Sequence, residues 1–86
     1  MPMLRNIAKL IDHSLLHPTM TDADIAAGCE IARKYEVATV CVKPYSVPFV
    51  KPLLKNCPVG ICAVVGFPHG NSTTDVKLRE TIQAVQ

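Results

Sequence analysis

A carboxylate stands inside the first apolar run of the chain, where residues 10–16 read Leu-Ile-Asp-His-Ser-Leu-Leu. A charged group in such a run is costly to bury unless it is hydrogen-bonded or paired. The spacing leaves two roles for Asp12 open, because perturbed acids mark functional sites only statistically. It relays protons or holds a substrate hydroxyl, or it is a structural acid bonded to backbone amides or to His13.

Cys41 and Lys43 are the candidate nucleophiles at the second apolar run, residues 37–42. A lysine forms a Schiff base where its surroundings hold the amine uncharged. Lys43 ends a predicted strand, and its simpler interpretation is a solvated lysine at a loop rim. Cys41 is interpreted first as a small buried hydrophobe, and second as a pocket thiol that reacts only when its thiolate is stabilised.

The remaining cysteines lack the spacing of a metal or redox motif. Cys29, Cys57 and Cys62 are predicted to be structural, with Cys57 as the exposed one, and neither C-x-x-C nor H-E-x-x-H occurs in the sequence. We therefore expect no metal, no cofactor and reduced thiols in a cytoplasmic protein. A cysteine-based redox or metal module is a third alternative, which predicts reactive thiolates or stoichiometric zinc.

The third apolar run, residues 59–67, leads into a loop at residues 66–71 that precedes a predicted helix. Backbone amides at such a place can bind an anion, but the loop has neither a Walker pattern nor G-x-G-x-x-G. In α/β folds the working groups follow the carboxyl ends of the strands. Phe67 and His69 hold such positions in the sequence.

Helix signals alternate with these runs, and the second and third runs are apolar on both faces, which is typical of parallel strands covered by helices. Thr21 and Asp24 resemble a capping box for a helix that ends near Tyr35. A second helix is predicted from about Ser46, and Pro52 should make it short, kinked or partly 3-10. A short amphipathic stretch at residues 4–9 precedes the first run.

A third helix is predicted after Ser72 or Thr73, with Asp75 favourable in its first turn. Its predicted buried positions are Val76, Leu78, Ile82 and Val85. No Gly, Asn or Pro stops this helix before Gln86. Since three strands with open edges close no barrel and protect no edge, we expect a truncated fold that self-associates.

Composition restricts the class of protein further. The 86 residues allow one partial domain, 1–86, and 49% of them are hydrophobic. A net charge of +2, with nine basic and seven acidic residues, argues against nucleic acid or an anionic membrane as the main partner. No apolar run approaches the roughly 18 residues that a membrane span needs.

Three segments in order resemble the deoxyribose-phosphate aldolase family: LIDHSLLHP at residues 10–18, VCVKPYSV at 40–47 and VVGFPHGNSTTDVK at 64–77. The resemblance implies an α/β fold consisting of the first three β/α units of a TIM (β/α)8 barrel, with parallel strands. It also implies a class I lyase without metal or cofactor. Such an aldolase reversibly cleaves 2-deoxy-D-ribose 5-phosphate into D-glyceraldehyde 3-phosphate and acetaldehyde through a lysine Schiff base.

The resemblance assigns roles residue by residue. Asp12 matches a family aspartate that supports the sugar hydroxyl and the proton relay. Ser14, Cys41 and Phe67 match positions that line the substrate pocket. The family's Schiff-base lysine comes from a later strand, and Lys43 stands where the family often carries asparagine. We therefore expect no Schiff-base lysine in this chain and no activity from it alone, the alternative being a non-catalytic, self-associating α/β fragment.

Overall fold

Three short strands form a parallel sheet in the computed structural model, which describes residues 6–86. β1 spans Asp12–Ser14, β2 spans Thr39–Val42 and β3 spans Gly60–Ala63, with β2 in the middle. The predicted parallel α/β order is therefore confirmed. The predicted amphipathic stretch at residues 4–9 lies partly outside the described residues.

Each strand is shorter than the apolar run that predicts it. Ladder-like hydrogen bonds nevertheless continue past the strand ends: the Leu15 amide donates to the Cys41 carbonyl at 2.9 Å, and the Val64 amide donates to the Val42 carbonyl at 3.2 Å. The apolar runs thus follow the sheet for one residue beyond its regular part.

The register of the sheet divides the side chains between two faces. Ser14 lies opposite Cys41, and Cys41 lies opposite Cys62. Because successive side chains of a strand point to opposite faces, Val40 and Val42 belong to the other face. Both valines are fully buried in the hydrophobic core. One face of the sheet therefore builds the core, and the other carries the sulfur atoms.

Helix α1, Asp22–Tyr35, begins and ends at well-defined caps. The Thr21 hydroxyl accepts a hydrogen bond from the Asp24 amide at 3.2 Å, and the Asp24 carboxylate accepts one from the Thr21 amide at 2.9 Å. This is the predicted capping box. At the other end Glu36 adopts the left-handed conformation, with a φ of 52°. The buried stripe of the helix consists of Ile25, Gly28, Cys29 and Ala32.

Helix α2, Val47–Leu53, follows a 3-10 turn at Pro44–Ser46 and has only seven residues. The predicted short helix is confirmed, with Pro52 inside its last turn, where its ring nitrogen has no proton to donate. The Arg33 guanidinium donates to the carbonyls of Leu53 and Lys55 at 3.2 and 2.8 Å. These two bonds satisfy carbonyls at the end of α2 and tie it to α1.

Helix α3, Thr74–Val85, begins where it was predicted, since the Thr73 hydroxyl accepts a hydrogen bond from the Val76 amide. The prediction of its buried face is wrong. The four residues predicted to be buried are all exposed: Val76 54%, Leu78 57%, Ile82 41% and Val85 80%. Among the described residues, no element covers this face. The helix contacts the 3-10 turn, and its Glu80 carboxylate accepts a hydrogen bond from the Gly66 amide at 2.8 Å.

The hydrophobic core lies between helices α1 and α2 and strand β2, and it also contains residues that flank the helices and strands. Its members are Leu15, Ile25, Cys29, Ala32, Val37, Val40, Val42, Val47, Val50, Leu54 and Val59. No helix within residues 6–86 is long and apolar enough to cross a membrane.

We expect Val40→Ala to destabilise the fold by roughly 2 kcal/mol, because it removes two methyl groups from a fully buried site and leaves a cavity. The matched control is Val76→Ala, which makes the same change at a half-exposed helix position and should cost less than about 0.5 kcal/mol. Urea denaturation followed by circular dichroism measures both. Equal losses in the two variants would show that β2 is not the centre of the core.

Candidate functional site

Three chemically reactive side chains from three adjacent strands converge on the open face of the sheet. One ligand atom each of Asp12, Cys41 and Cys62 lies within 4.8 Å of the other two. The register explains this convergence, because Cys41 is paired with Cys62 and Asp12 lies two residues from Ser14, the partner of Cys41. A period of two along each strand keeps all three side chains on the same face.

Asp12 is exposed, and its partner is a hydroxyl on the neighbouring strand. Thr39 Oγ1 donates to Asp12 Oδ1 at 2.6 Å, and the two residues are also opposite each other in the register. A hydrogen bond to an ionised carboxylate is short and strong, so it fixes the orientation of the Asp12 side chain. His13 follows Asp12 in the strand and therefore belongs to the opposite face. The structural alternative predicted a bond to backbone amides or to His13, and the partner found in the structure is instead Thr39.

Cys41 is the buried member of the group. Burial raises the pKa of its thiol from the ordinary value of 9.0 to about 11, with further contributions from Cys62 and Asp12 beside it. The thiol is therefore protonated at neutral pH, which agrees with the interpretation of Cys41 as a small hydrophobe. Since folding raises this pKa, the thiol's contribution to stability is complete below pH 9 and is lost as the pH rises towards 11.

Cys62 is the exposed cysteine. The prediction that Cys57 is the exposed one is therefore wrong. Cys57 is half-buried, and its thiol donates to the Leu54 carbonyl at 3.1 Å. Cys62 is exposed because β3 is an edge strand of this sheet and the described chain places no helix over that face. Cys29 is buried in the core, where burial, followed by the nearby Cys57, raises its pKa.

The other predicted site residues lie at the carboxyl ends of the strands. Ser14 is exposed and lies opposite Cys41 in the register, next to the group just described. Phe67 is 51% exposed in the loop between β3 and α3. Lys43 directly follows β2, as predicted, and is half-buried at the start of the 3-10 turn.

The loop that could have bound an anion has one of its amides already engaged. The Gly66 amide donates to the Glu80 carboxylate, and Gly66 itself has a left-handed φ of 63°. A carboxylate at this position disfavours a second anion through like-charge repulsion. The bond instead holds the loop against α3.

Sequence reasoning missed Thr39 and Cys62 as members of this group. A signal was present for both. Thr39 stands two residues before Cys41, and so shares its face of β2. Cys62 stands in the third apolar run, and an aligned parallel register would have placed it opposite Cys41. Neither position could be assigned without that register.

No family model matches this chain. Curated proteins with similar sequences nevertheless align with almost all of it. The deoxyribose-phosphate aldolase of Caldanaerobacter subterraneus subsp. tengcongensis is 46% identical over 83 residues, which is 96% of this chain and 36% of that protein. The deoxyribose-phosphate aldolase of Halalkalibacterium halodurans is 46% identical over 85 residues, covering 98% of this chain and 38% of its own length.

The fold comparison gives the same relationship. The tetrameric deoxyribose phosphate aldolase of Aeropyrum pernix superposes with a TM-score of 0.89 at 27% sequence identity, over 99% of this chain and 36% of that structure. The expected fold class, the first units of a TIM barrel with parallel strands, is thereby confirmed. The chain spans little more than a third of the length of the relatives it matches. Within that span, its sequence and its fold show that it belongs to the deoxyribose-phosphate aldolase family.

Proposed function

We propose that this chain supplies the first three strands of the wall of a deoxyribose-phosphate aldolase pocket. The observation that carries the proposal is the convergence of Asp12 and Cys41 on one face of adjacent parallel strands. In a barrel of this family that face points inward, where the side chains of alternate strands form layers. The 46% identity to an aldolase over 96% of the chain supports the same placement.

The proposed reaction is the reversible cleavage of 2-deoxy-D-ribose 5-phosphate into D-glyceraldehyde 3-phosphate and acetaldehyde. Asp12 is proposed to hold a sugar hydroxyl and to support the proton relay, with Thr39 as the positioning residue that orients its carboxylate. Ser14, which lies opposite Cys41, is proposed to contact the substrate from β1 through its hydroxyl. Cys41 and Phe67 are proposed to line the apolar part of the pocket.

The covalent step is proposed to belong to a lysine outside this chain. Lys43 follows β2 and is half-buried at the start of a 3-10 turn. A Schiff-base lysine is activated by an apolar pocket or by a neighbouring cation. The 86 residues alone are therefore proposed to be inactive, because a preorganised pocket requires the remaining strands of the barrel.

The cellular setting is proposed to be the cytoplasm. All four cysteines are free in the structure, although the Cys41 and Cys62 sulfurs lie close together. Free thiols at such a distance are in keeping with a reducing compartment.

The role of Asp12 can be tested in a chimeric barrel, in which this chain replaces the matching third of the Caldanaerobacter aldolase. We expect the chimera to cleave 2-deoxy-D-ribose 5-phosphate, and Asp12→Asn to lower kcat about 100-fold, because the carboxylate that supports proton transfer is lost. A coupled assay of D-glyceraldehyde 3-phosphate release measures the rate.

Asp75→Asn is the matched control for this experiment, since Asp75 is an exposed aspartate in the first turn of α3. It should leave kcat within about twofold of the parent chimera. Equal kcat values for Asp12→Asn and the parent chimera would remove Asp12 from the proposed site.

For the 86-residue chain alone, we expect no Schiff base. Incubation with acetaldehyde and borohydride, followed by intact-mass and peptide analysis, should give no more reduced adduct on Lys43 than on the exposed lysines. Lys51, half a turn from the end of α2, is the reference lysine because it lies outside the open face. Selective adduct formation on Lys43 would contradict the proposal that the nucleophile lies elsewhere.

Self-association is the second property that the structure favours. Helix α3 exposes Leu78, Ile82 and Val85, whose spacing of four and three residues forms one continuous stripe. Strands β1 and β3 also present unpaired edges, since the described sheet contains three strands in the order β1-β2-β3. Exposed apolar stripes and open sheet edges both promote association.

We expect the 86-residue chain to sediment and scatter light as an oligomer at micromolar concentration. Ile82→Lys should reduce the weight-average mass by placing a charge in the apolar stripe, whereas Gln83→Lys, its neighbour in α3, should not. A monodisperse monomer with cooperative thermal unfolding would contradict the expectation.

A further inference from the structure

The open face of the sheet holds a set of potential metal ligands that the chain order does not reveal. The carboxylate of Asp12 and the thiols of Cys41 and Cys62 come from three different strands, and these atoms lie within 4.8 Å of one another. The parallel register fixes their backbone positions, because each strand is hydrogen-bonded to the next. The three groups are therefore held together by the sheet and not by a flexible loop.

From this geometry we propose that Asp12, Cys41 and Cys62 bind one thiophilic divalent cation, of the class of Zn²⁺ or Cd²⁺. Two sulfur ligands and one carboxylate oxygen form a donor set that suits these d¹⁰ ions. A set with two thiolates disfavours Mg²⁺ and Ca²⁺, which prefer oxygen ligands alone. The sequence motifs gave no sign of this site, since its ligands are separated by 29 and 21 residues along the chain.

The ligands need only a small movement to close around the ion. In a tetrahedral zinc site with Zn–S bonds of about 2.3 Å, two sulfur ligands lie about 3.8 Å apart. The present separations, at most 4.8 Å, exceed this value by no more than about 1 Å, a change on the scale of a side-chain rotation. Cys62 is exposed and can adjust, whereas Cys41 is buried and provides the fixed ligand.

Two further features complete the environment of the ion. Thr39 donates a hydrogen bond to Asp12 Oδ1, and contacts of this kind orient a metal-binding carboxylate. Asp12 and Cys62 are exposed, so solvent water can reach the fourth tetrahedral position. On binding, each thiol gives its proton to the buffer, and the resulting complex of one M²⁺ with two thiolates and one carboxylate carries a charge of −1.

This inference does not rest on the proposed aldolase reaction. It concerns ion binding by the 86 residues themselves, and its measurement involves no catalysis. The two proposals fail separately: loss of ion binding leaves the chimeric barrel untouched, and an inactive chimera leaves the ligand set unchanged.

The experiment is a titration of the reduced, metal-free chain with Cd²⁺ and with Zn²⁺ in a non-coordinating buffer. We expect one Cd²⁺ per chain and an ultraviolet charge-transfer absorption from two thiolates. Cys62→Ser and Asp12→Asn should each weaken Zn²⁺ binding at least about tenfold, because each removes one of the three ligands. Thr39→Val, which removes only the contact that orients Asp12, should weaken it by about 10-fold or more.

Cys57→Ser is the matched control, since Cys57 is a free thiol outside the group, close to Cys29. It should leave stoichiometry and affinity unchanged, and circular dichroism should show the same fold for every variant. The proposal is overturned if no thiolate absorption appears, if Cys62→Ser binds as tightly as the parent chain, or if the loss occurs in Cys57→Ser. The last result would place the ion between Cys29 and Cys57.

Discussion

The alignment of three parallel strands is the constraint on which the rest of this structure depends. With β2 between its neighbours, Cys41 lies opposite both Ser14 and Cys62, and each strand alternates its side chains between two faces. A shift of the register by one residue would exchange those faces, and the polar and thiol side chains of the open face would then point into the hydrophobic core. The buried valines of β2, Val40 and Val42, resist that shift because it would move them out of the hydrophobic core.

The two faces have separate physical roles. The helix-covered face buries aliphatic side chains and supplies the free energy that holds the strands together. The open face carries two thiols, of which Cys41 is buried and Cys62 exposed, and a carboxylate, which would be costly to bury without a partner. Asp12 is tolerated there because it is exposed and hydrogen-bonded to Thr39. Carboxylate, thiol and hydroxyl side chains can therefore occupy the open face of the sheet without destabilising the hydrophobic core on the other face.

The third β/α unit is held differently from the first two. Helix α1 buries a stripe of residues and is joined to α2 through the two hydrogen bonds of Arg33, whereas α3 has no buried residue at all. The Thr73 hydroxyl caps the beginning of α3, and Glu80 in the middle of the helix accepts the hydrogen bond from the Gly66 amide that ties α3 to the preceding loop. In the aldolases that this chain resembles, about two thirds of the length lies outside the matched part. Within residues 6–86, the apolar face of α3 is left uncovered.

Local signals in the sequence were sufficient for the elements and for the family. The capping box at Thr21, the short helix around Pro52 and the start of α3 depend on neighbouring residues, and all were predicted correctly. The roles of Asp12 and Cys41 at the site stay predictions. Which groups meet was decided by the tertiary structure, because hydrogen bonding between strands sets a register that chain order does not encode. That register brought Thr39 to Asp12 and Cys62 to Cys41, and the lack of cover within the described chain left α3 exposed.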